Sequence, residues 1–484
     1  MSLSEPYGKL TGETNSMRLM LLSVLVIIIS LSSLTGQHTI SPNPDLPRQK
    51  WQGWGISLAW WAHVMGGWQD SQVNEISEWI TSPDELNLNV FRFNIGGGDD
   101  PCHTHIRKDG GDISGYKPSE KAEYDWSQDA NQRNILLHLN ALRKDAINEA
   151  ASYSPPYWMT KSGCSAGNTN GEDNLDDAYY DDFADYLTEV VSYYKKTFGI
   201  EFQTIAPMNE PFSDWWKAMG SQEGCAFSQE NQHRIIRVLY KSLEQKNMLD
   251  YCRISAMDAN SIDEALKGIL EYQRAGDILP LISQINTHSY NGEKRSELCA
   301  LAGENGKTLW QSESGPLNIA ETGLDNHLIM AQRIIKDLQE LKPTVWCDWQ
   351  FAAMEDARWG LVSYNMEKKT YQREKSYYIR KQFTKFIKPG YIIIGGTDPR
   401  SLAALSADKK ELIIIVVNQT AGSNMYTVDM KKFYPSGQKI NAFRSSETEN
   451  CVLIENEIYM VNKNLDITIP AKSVTTILIP LAVQ

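Results

Sequence analysis

Between Trp51 and Phe386, eight short apolar runs alternate with longer stretches in which apolar residues return every three or four positions among charges. Few folds satisfy that pattern. A run of five or six apolar residues bounded by polar ones reads as a strand buried on both faces. An intervening segment long enough for a helix lets successive strands lie parallel. The runs begin at Gly53, Val90, Ile147, Phe202, Arg253, Ile285, Thr308 and Val345, and helical periodicity is clearest over Tyr179 to Phe198, Gln229 to Met248 and Leu324 to Leu341. Eight such units close a (β/α)8 TIM barrel, which predicts an α/β fold with its functional face at the carboxyl ends of the strands.

The texture changes after Pro389-Gly390. Short β-rich runs such as Glu411 to Asn418 and Val474 to Ile479 follow one another without a helical period, which predicts a C-terminal antiparallel β-sandwich side domain. The expected division is residues 1–36 as an upstream segment and signal peptide, 37–50 as an N-terminal strand joining the side sandwich, 51–388 as the barrel and 389–484 as the sandwich. The signal reading rests on Met17-Arg18, the apolar run Leu19 to Leu34 and small residues up to Gly36, followed by proline-rich polar sequence. It predicts cleavage near Gly36, a secreted (extracellular or periplasmic) protein and no membrane association afterwards. The polar segment Met1 to Ser16 ahead of the signal fits an upstream start codon or a cloning scar.

Charge and cysteine usage narrow the function classes. A formal charge of -13 with no long basic run argues against nucleic acid as a partner. Seven irregularly spaced cysteines are too few to build a disulfide scaffold in a chain of 484 residues. His103 and His105 form an HxH pair with no third ligand nearby in the sequence, so no metal is expected there.

The chemistry-bearing residues fall at predicted strand ends. In Ala206-Pro207-Met208-Asn209-Glu210-Pro211 the fourth strand runs out into a polar pair stopped by proline, and in Leu309-Trp310-Gln311-Ser312-Glu313-Ser314-Gly315 the seventh ends on one carboxylate. Alone, each glutamate reads equally as a solvated loop residue. Together, facing each other across a barrel mouth, they make a pair suited to glycoside hydrolysis. Glu210 would be the general acid/base and Glu313 the nucleophile, at the short separation that favours retention. Asn209 is placed to bind a sugar 2-hydroxyl. Arg92, in the apolar second strand, is placed to pair with a carboxylate and keep Glu313 ionised. His288 and Tyr290 alternate on the sixth strand and face the same way, with Tyr290 in position to donate to Glu313. Trp60, Trp61, Trp158 and Trp349 are candidate stacking platforms, and of the adjacent pairs Trp60-Trp61 and Trp215-Trp216 at least one member should face the cleft.

Five segments then look familiar as a set: Gly53-Trp54-Gly55-Ile56-Ser57-Leu58-Ala59-Trp60-Trp61-Ala62, Arg92-Phe93-Asn94-Ile95-Gly96-Gly97-Gly98, Ser154-Pro155-Pro156-Tyr157-Trp158-Met159, Asn209-Glu210-Pro211 and Ser312-Glu313. They resemble glycoside hydrolase family 30. The resemblance implies a (β/α)8 barrel with a side β-sandwich and retaining hydrolysis without a cofactor, with the same roles for Glu210 and Glu313. Ser57-Leu58-Ala59-Trp60-Trp61 and Gln222-Glu223-Gly224-Cys225 further resemble the endo-β-1,6-galactanase branch. That implies β-1,6-linked galactan side chains of arabinogalactan as substrate, with Glu223 lining subsites. Met208 and Ser314 depart from the family pattern beside the two carboxylates and bear on specificity. The competing readings are a β-1,6-glucanase, another family 30 glycosidase such as a glucosylceramidase or xylanase, and a non-catalytic carbohydrate-binding homologue. An oligosaccharide or polysaccharide partner and a monomer are expected.

Overall fold

The computed structural model describes residues 34–316, 323–355, 359–455 and 458–482. The segment expected to be a signal peptide lies outside them, except for residues 34–36. These open strand β1 (Leu34–Ile40), which is followed by β2 (Asn43–Lys50).

Eight parallel strands close the barrel: β3 (Gly53–Ser57), β4 (Val90–Asn94), β5 (Ile147–Ala151), β6 (Thr204–Ala206), β7 (Arg253–Ser261), β8 (Ile282–Asn291), β9 (Thr308–Glu313) and β10 (Val345–Asp348), with β10 pairing back onto β3. All eight coincide with the apolar runs read from the sequence. Every residue of β3 and β4 is buried, as strands covered by helices outside and by each other inside must be. Two strands run longer than their apolar pattern, β7 continuing to Ser261 and β8 to Asn291. Their polar ends pair with each other and reach the mouth of the barrel.

The register along these strands is interrupted where the site is built. Met257 pairs with Asn286 and Ala259 with Thr287, which leaves Asp258 as an extra residue in β7; Thr287 pairs with Gln311 and His288 with Glu313, which leaves Ser312 extra in β9. Such bulges re-aim a side chain that strict alternation would send to the other face. Here both Asp258 and Ser312 end up fully buried, and they bond to each other.

The side domain packs a seven-stranded sheet against a four-stranded one around Ile394, Ile414, Val416, Tyr426 and Ile467. The N-terminal segment supplies two strands to it where one was expected. β1 edges the four-stranded sheet beside Ser423–Asp429, and β2 edges the seven-stranded sheet beside Ile392–Gly395. The chain breaks between them at Ser41-Pro42, where proline has no N–H for a ladder, and Pro44 and Pro47 are tolerated because β2 is an edge strand. A small three-stranded sheet (Ala352–Met354, Val362–Asn365, Thr370–Arg373), not anticipated from the pattern, follows β10 at the barrel mouth.

Trp54 ties the start of the barrel to its end. Its ring packs 4.5 Å from Trp51 and 6.2 Å from Phe383, and its Nε1 donates to the carbonyl of Ile387 at 2.8 Å. Trp54→Ala removes that packing and leaves a buried carbonyl without its donor. The expected cost is about 3–5 kcal/mol, read as a lower urea midpoint at unchanged slope.

Candidate active site

The floor of the barrel mouth is organised by one guanidinium. Arg92 is wholly buried on β4; its Nε donates to Glu149 on β5 at 2.9 Å, one terminal nitrogen pairs with Asp258 on β7, and the other donates to the Ser312 carbonyl at 3.0 Å and to Glu313 at 3.4 Å. Glu149 is further satisfied by Thr204 Oγ1 at 2.8 Å and by the amides of Gln284 and Asn286, each at 2.9 Å. Burial alone would disfavour the Arg92 charge, but Asp258, Tyr153, Glu149 and Glu313 hold its pKa well above the ordinary value. Asp258 stays below the usual carboxylate range: burial pushes it up, and Arg92 and His288 pull it further down.

Above this floor sit Glu210 and Glu313. Glu313 closes β9, and Glu210 follows β6 in a left-handed conformation, with φ 46°. An L-residue is strained there and must be held. Three bonds hold it: its N–H donates to the Asp258 carbonyl at 2.8 Å, while its own carbonyl accepts from Ser213 N at 3.0 Å and Trp216 Nε1 at 3.1 Å. The Glu210 carboxylate accepts from Asn260 Nδ2 at 2.7 Å and lies 3.1 Å from His288 Nδ1. Glu313 accepts from Tyr290 Oη at 3.0 Å and lies 3.5 Å from the same His288 nitrogen.

An oxygen of Glu210, an oxygen of Glu313 and a His288 nitrogen lie within 4.8 Å of one another. Burial disfavours a charge on His288, but Glu313 and Asp258 outweigh it and raise its pKa to about 10. Glu313 is pushed up to about 7 by burial and by Glu210, against the downward pull of His288 and Arg92.

These groups open into a cavity of about 330 Å³. Its wall includes Glu210, Glu313, Asn209, Tyr290, Glu223, Trp60, Trp349 and Trp216. Trp60 meets Trp349 edge to face at 5.3 Å and carries the Arg107 guanidinium on its ring at 4.4 Å. Glu223 is anchored by Gly97 N at 3.0 Å and Asn94 Nδ2 at 3.3 Å, and burial holds its pKa well above the ordinary value.

Four of the candidate site residues do not line the cavity. Arg92 is spent on buried carboxylates below the cavity. Trp61 is fully buried against Phe351, with its Nε1 on the Ser57 carbonyl. Trp158 packs on Tyr179 and donates to the Lys117 carbonyl, outside the cavity wall. His288 is fully buried and bears on the two glutamates from behind. Of the adjacent tryptophan pairs, Trp60 and Trp216 reach the cavity, whereas Trp215 is 51% exposed and Trp61 is core.

Comparison with known proteins identifies the family. The family described as O-glycosyl hydrolase family 30 matches residues 37–303. The chain belongs to that family. It is therefore a glycoside hydrolase acting on O-glycosyl bonds. This family 30 chain is similar to an endo-β-1,6-galactanase of Hypocrea rufa, 28% identical over 453 residues, which covers 85% of this chain and 90% of that enzyme. It is also similar to an endo-1,6-β-D-glucanase of Neurospora crassa, 22% identical over 432 residues, covering 83% and 85% respectively. The fold resembles that of a conserved exported protein from Bacteroides fragilis, with TM-score 0.76 and 16% identity over 91% of this chain and 100% of that one.

Asp258, Asn260 and Glu149 belong to the site and were not singled out in the sequence. The polar run Asp258-Ala259-Asn260-Ser261 at the end of an apolar strand was the available signal. Arg92→Met leaves Glu149, Asp258 and Glu313 buried without their common cation. Such a loss costs about 3–5 kcal/mol or more, and Arg92→Lys cannot restore it because an ammonium lacks the planar fork. Urea denaturation should therefore show large losses for both variants and a change within about 0.5 kcal/mol for the exposed Trp215→Ala.

Proposed function

We propose that this chain is a secreted, retaining endo-β-1,6-galactanase in which Glu313 is the nucleophile and Glu210 the general acid/base. The observation that carries the reading is the approach of Glu210 and Glu313 oxygens to within 4.8 Å across one cavity. Retaining glycosidases hold their carboxyl groups about 5–5.5 Å apart, whereas inverting ones need about 6.5–9.5 Å to admit a water. The division of roles follows from the surroundings. Arg92, His288 and the Tyr290 hydroxyl all favour negative charge on Glu313, as a nucleophile requires. Glu210 gives its proton to the departing glycosidic oxygen while Glu313 bonds to the anomeric carbon. In the second step Glu210 takes a proton from water, whose oxygen displaces Glu313.

Asn209 lines the cavity with its buried side-chain oxygen lacking any hydrogen-bond partner, which suits it to a sugar hydroxyl. Trp60, Trp216 and Trp349 line the cavity as candidate contacts for sugar rings, and Glu223 is an acid group for a hydroxyl farther along. Likeness to the Hypocrea rufa enzyme supports β-1,6-galactan, the side chain of plant arabinogalactan, as substrate. Likeness to the Neurospora crassa enzyme supports β-1,6-glucan as the second reading. The charged, apolar and small residues from Met17 to Gly36 support export, and no helix among the described residues is long and apolar enough to cross a membrane.

Product analysis on both polymers tests the reading. Wild type should release galacto-oligosaccharides whose newly formed reducing ends are β by NMR at early times. Glu313→Gln should abolish turnover. Glu210→Gln should lose about 10²–10⁴-fold on the polymer and much less on an aryl glycoside whose leaving group needs no proton. Initial α products would sink the retaining mechanism, and cleavage of β-1,6-glucan alone would move the substrate to glucose.

The pH profile tests the electrostatics. Glu313 works ionised, so kcat/KM should fall as pH drops through about 7. His288 pulls Glu313 downward, so His288→Gln removes a cation and should shift that acid limb to higher pH. An unmoved limb would show that some other group sets it.

A further inference from the structure

A second cluster of chemically capable side chains lies outside the carboxylate pair. Asp99, His103 and His105 belong to the loop after β4, and Cys164 to the loop after β5; one donor atom from each lies within 4.8 Å of the others. His105 Nε2 is 2.8 Å from Asp99 Oδ2, His103 Nδ1 is 3.2 Å from that oxygen, and Cys164 Sγ is 3.6 Å from His103 Nδ1. A tetrahedral ion with metal–nitrogen and metal–oxygen bonds of about 2.0–2.1 Å and a metal–sulfur bond of about 2.3 Å separates its ligands by about 3.3 Å, or about 3.6 Å to sulfur. Two of these three edges, at 3.2 and 3.6 Å, match those values, and the third, at 2.8 Å, is shorter.

Two further observations point to a ligand. The His105 side chain is only 8% exposed, yet its buried Nε2 has no hydrogen-bond partner: the nearby Asp99 oxygen is within reach but off the bonding direction. The other ring nitrogen, Nδ1, meets the Gly220 carbonyl at 2.5 Å and donates to it, as the outer nitrogen of a metal-bound histidine does. Asp99 is itself oriented by Ser165 N on its second oxygen at 3.0 Å. A cysteine–histidine–aspartate nucleophile does not fit, because Cys164 and Asp99 both approach the same nitrogen of His103.

We propose that Asp99, His103, His105 and Cys164 bind one Zn²⁺ ion as a structural site. The sequence supplied only the HxH half of it, which is why no metal was expected; the fold brings the third and fourth ligands from Asp99 and from Cys164, 61 residues beyond His103. The ion would pin together the loops that follow the second, third and fourth barrel strands. The third of these loops is reached through Gly220 and carries Glu223 into the cavity wall.

The test uses the full chain purified without a metal-affinity column, stripped with chelator and reloaded with Zn²⁺ or Co²⁺ alone. One equivalent of Zn²⁺ should survive gel filtration, chelation should lower Tm by several degrees, and Co²⁺ should give a thiolate charge-transfer band with intense tetrahedral visible absorption. Cys164→Ser should lose that band, His105→Ala should lose stoichiometric binding, and Glu313→Gln should keep both. No retained Zn²⁺ and no cobalt band in wild type would overturn the proposal. So would metal that survives in folded Cys164→Ser and His105→Ala but is lost in Glu313→Gln. The wild-type cobalt spectrum decides the matter even if a variant fails to fold.

Discussion

Everything at the barrel mouth depends on the buried guanidinium of Arg92. A cation with no access to water is expensive unless its nitrogens find acceptors, and all three Arg92 nitrogens find them, reaching from β4 to β5, β7 and β9. Four of the eight strands are thereby tied at one point just beneath the two glutamates. The same bonds that make the charge tolerable fix the positions of Asp258 and of the end of β9, and hence of Glu313. A lysine would supply the charge but not the planar fork, so the geometry of the site is tied to the residue type and not just to its sign.

Local irregularity then converts this rigid floor into a working arrangement. Strict alternation along β7 and β9 would aim some of these side chains outward, and the bulges at Asp258 and Ser312 bring both inside, where they bond to one another at 2.5 Å. The Asp258 carbonyl in turn holds the strained backbone of Glu210. One of the three bonds that hold Glu210 thus comes from a residue whose carboxylate is placed by the burial of Arg92. Met208 and Ser314, the two departures beside the carboxylates, fit the same frame. Met208 is core, and Ser314 accepts from Trp349 N at 2.8 Å through its carbonyl, so the latter bears on an aromatic wall and not on the carboxylate.

What the sequence disclosed follows from range. The barrel strands were legible because burial on both faces leaves continuous apolar runs, and Glu210 and Glu313 were legible because Pro211 and Gly315 mark where those runs stop. Tyr290 followed from period two along one strand. Glu149 was hidden because a single acid inside a strand has no local signature, and its meaning comes from Arg92 on the neighbouring strand. Trp61 was misplaced because adjacent tryptophans look alike in sequence, while only packing against Phe351 decides which turns inward. Asp99 and Cys164 join the histidines through a loop closure that no spacing rule reports.

The site therefore divides into a rigid chemical floor and a wall made of loops. The floor is cross-linked by charge at strand ends, where sub-ångström placement matters for bond making. The wall is long irregular chain, and such chain holds a shape only where something offsets its conformational entropy. On the side of Glu223 that something is a dense set of polar contacts: Gly97 to Glu223, Arg107 N to the Ser221 carbonyl at 2.9 Å, Gly224 N to the Ser165 carbonyl at 2.9 Å, and the donor cluster around Asp99. These contacts join loops from three successive strands, so the distance from Glu223 to the two glutamates is set by the loops acting as one body.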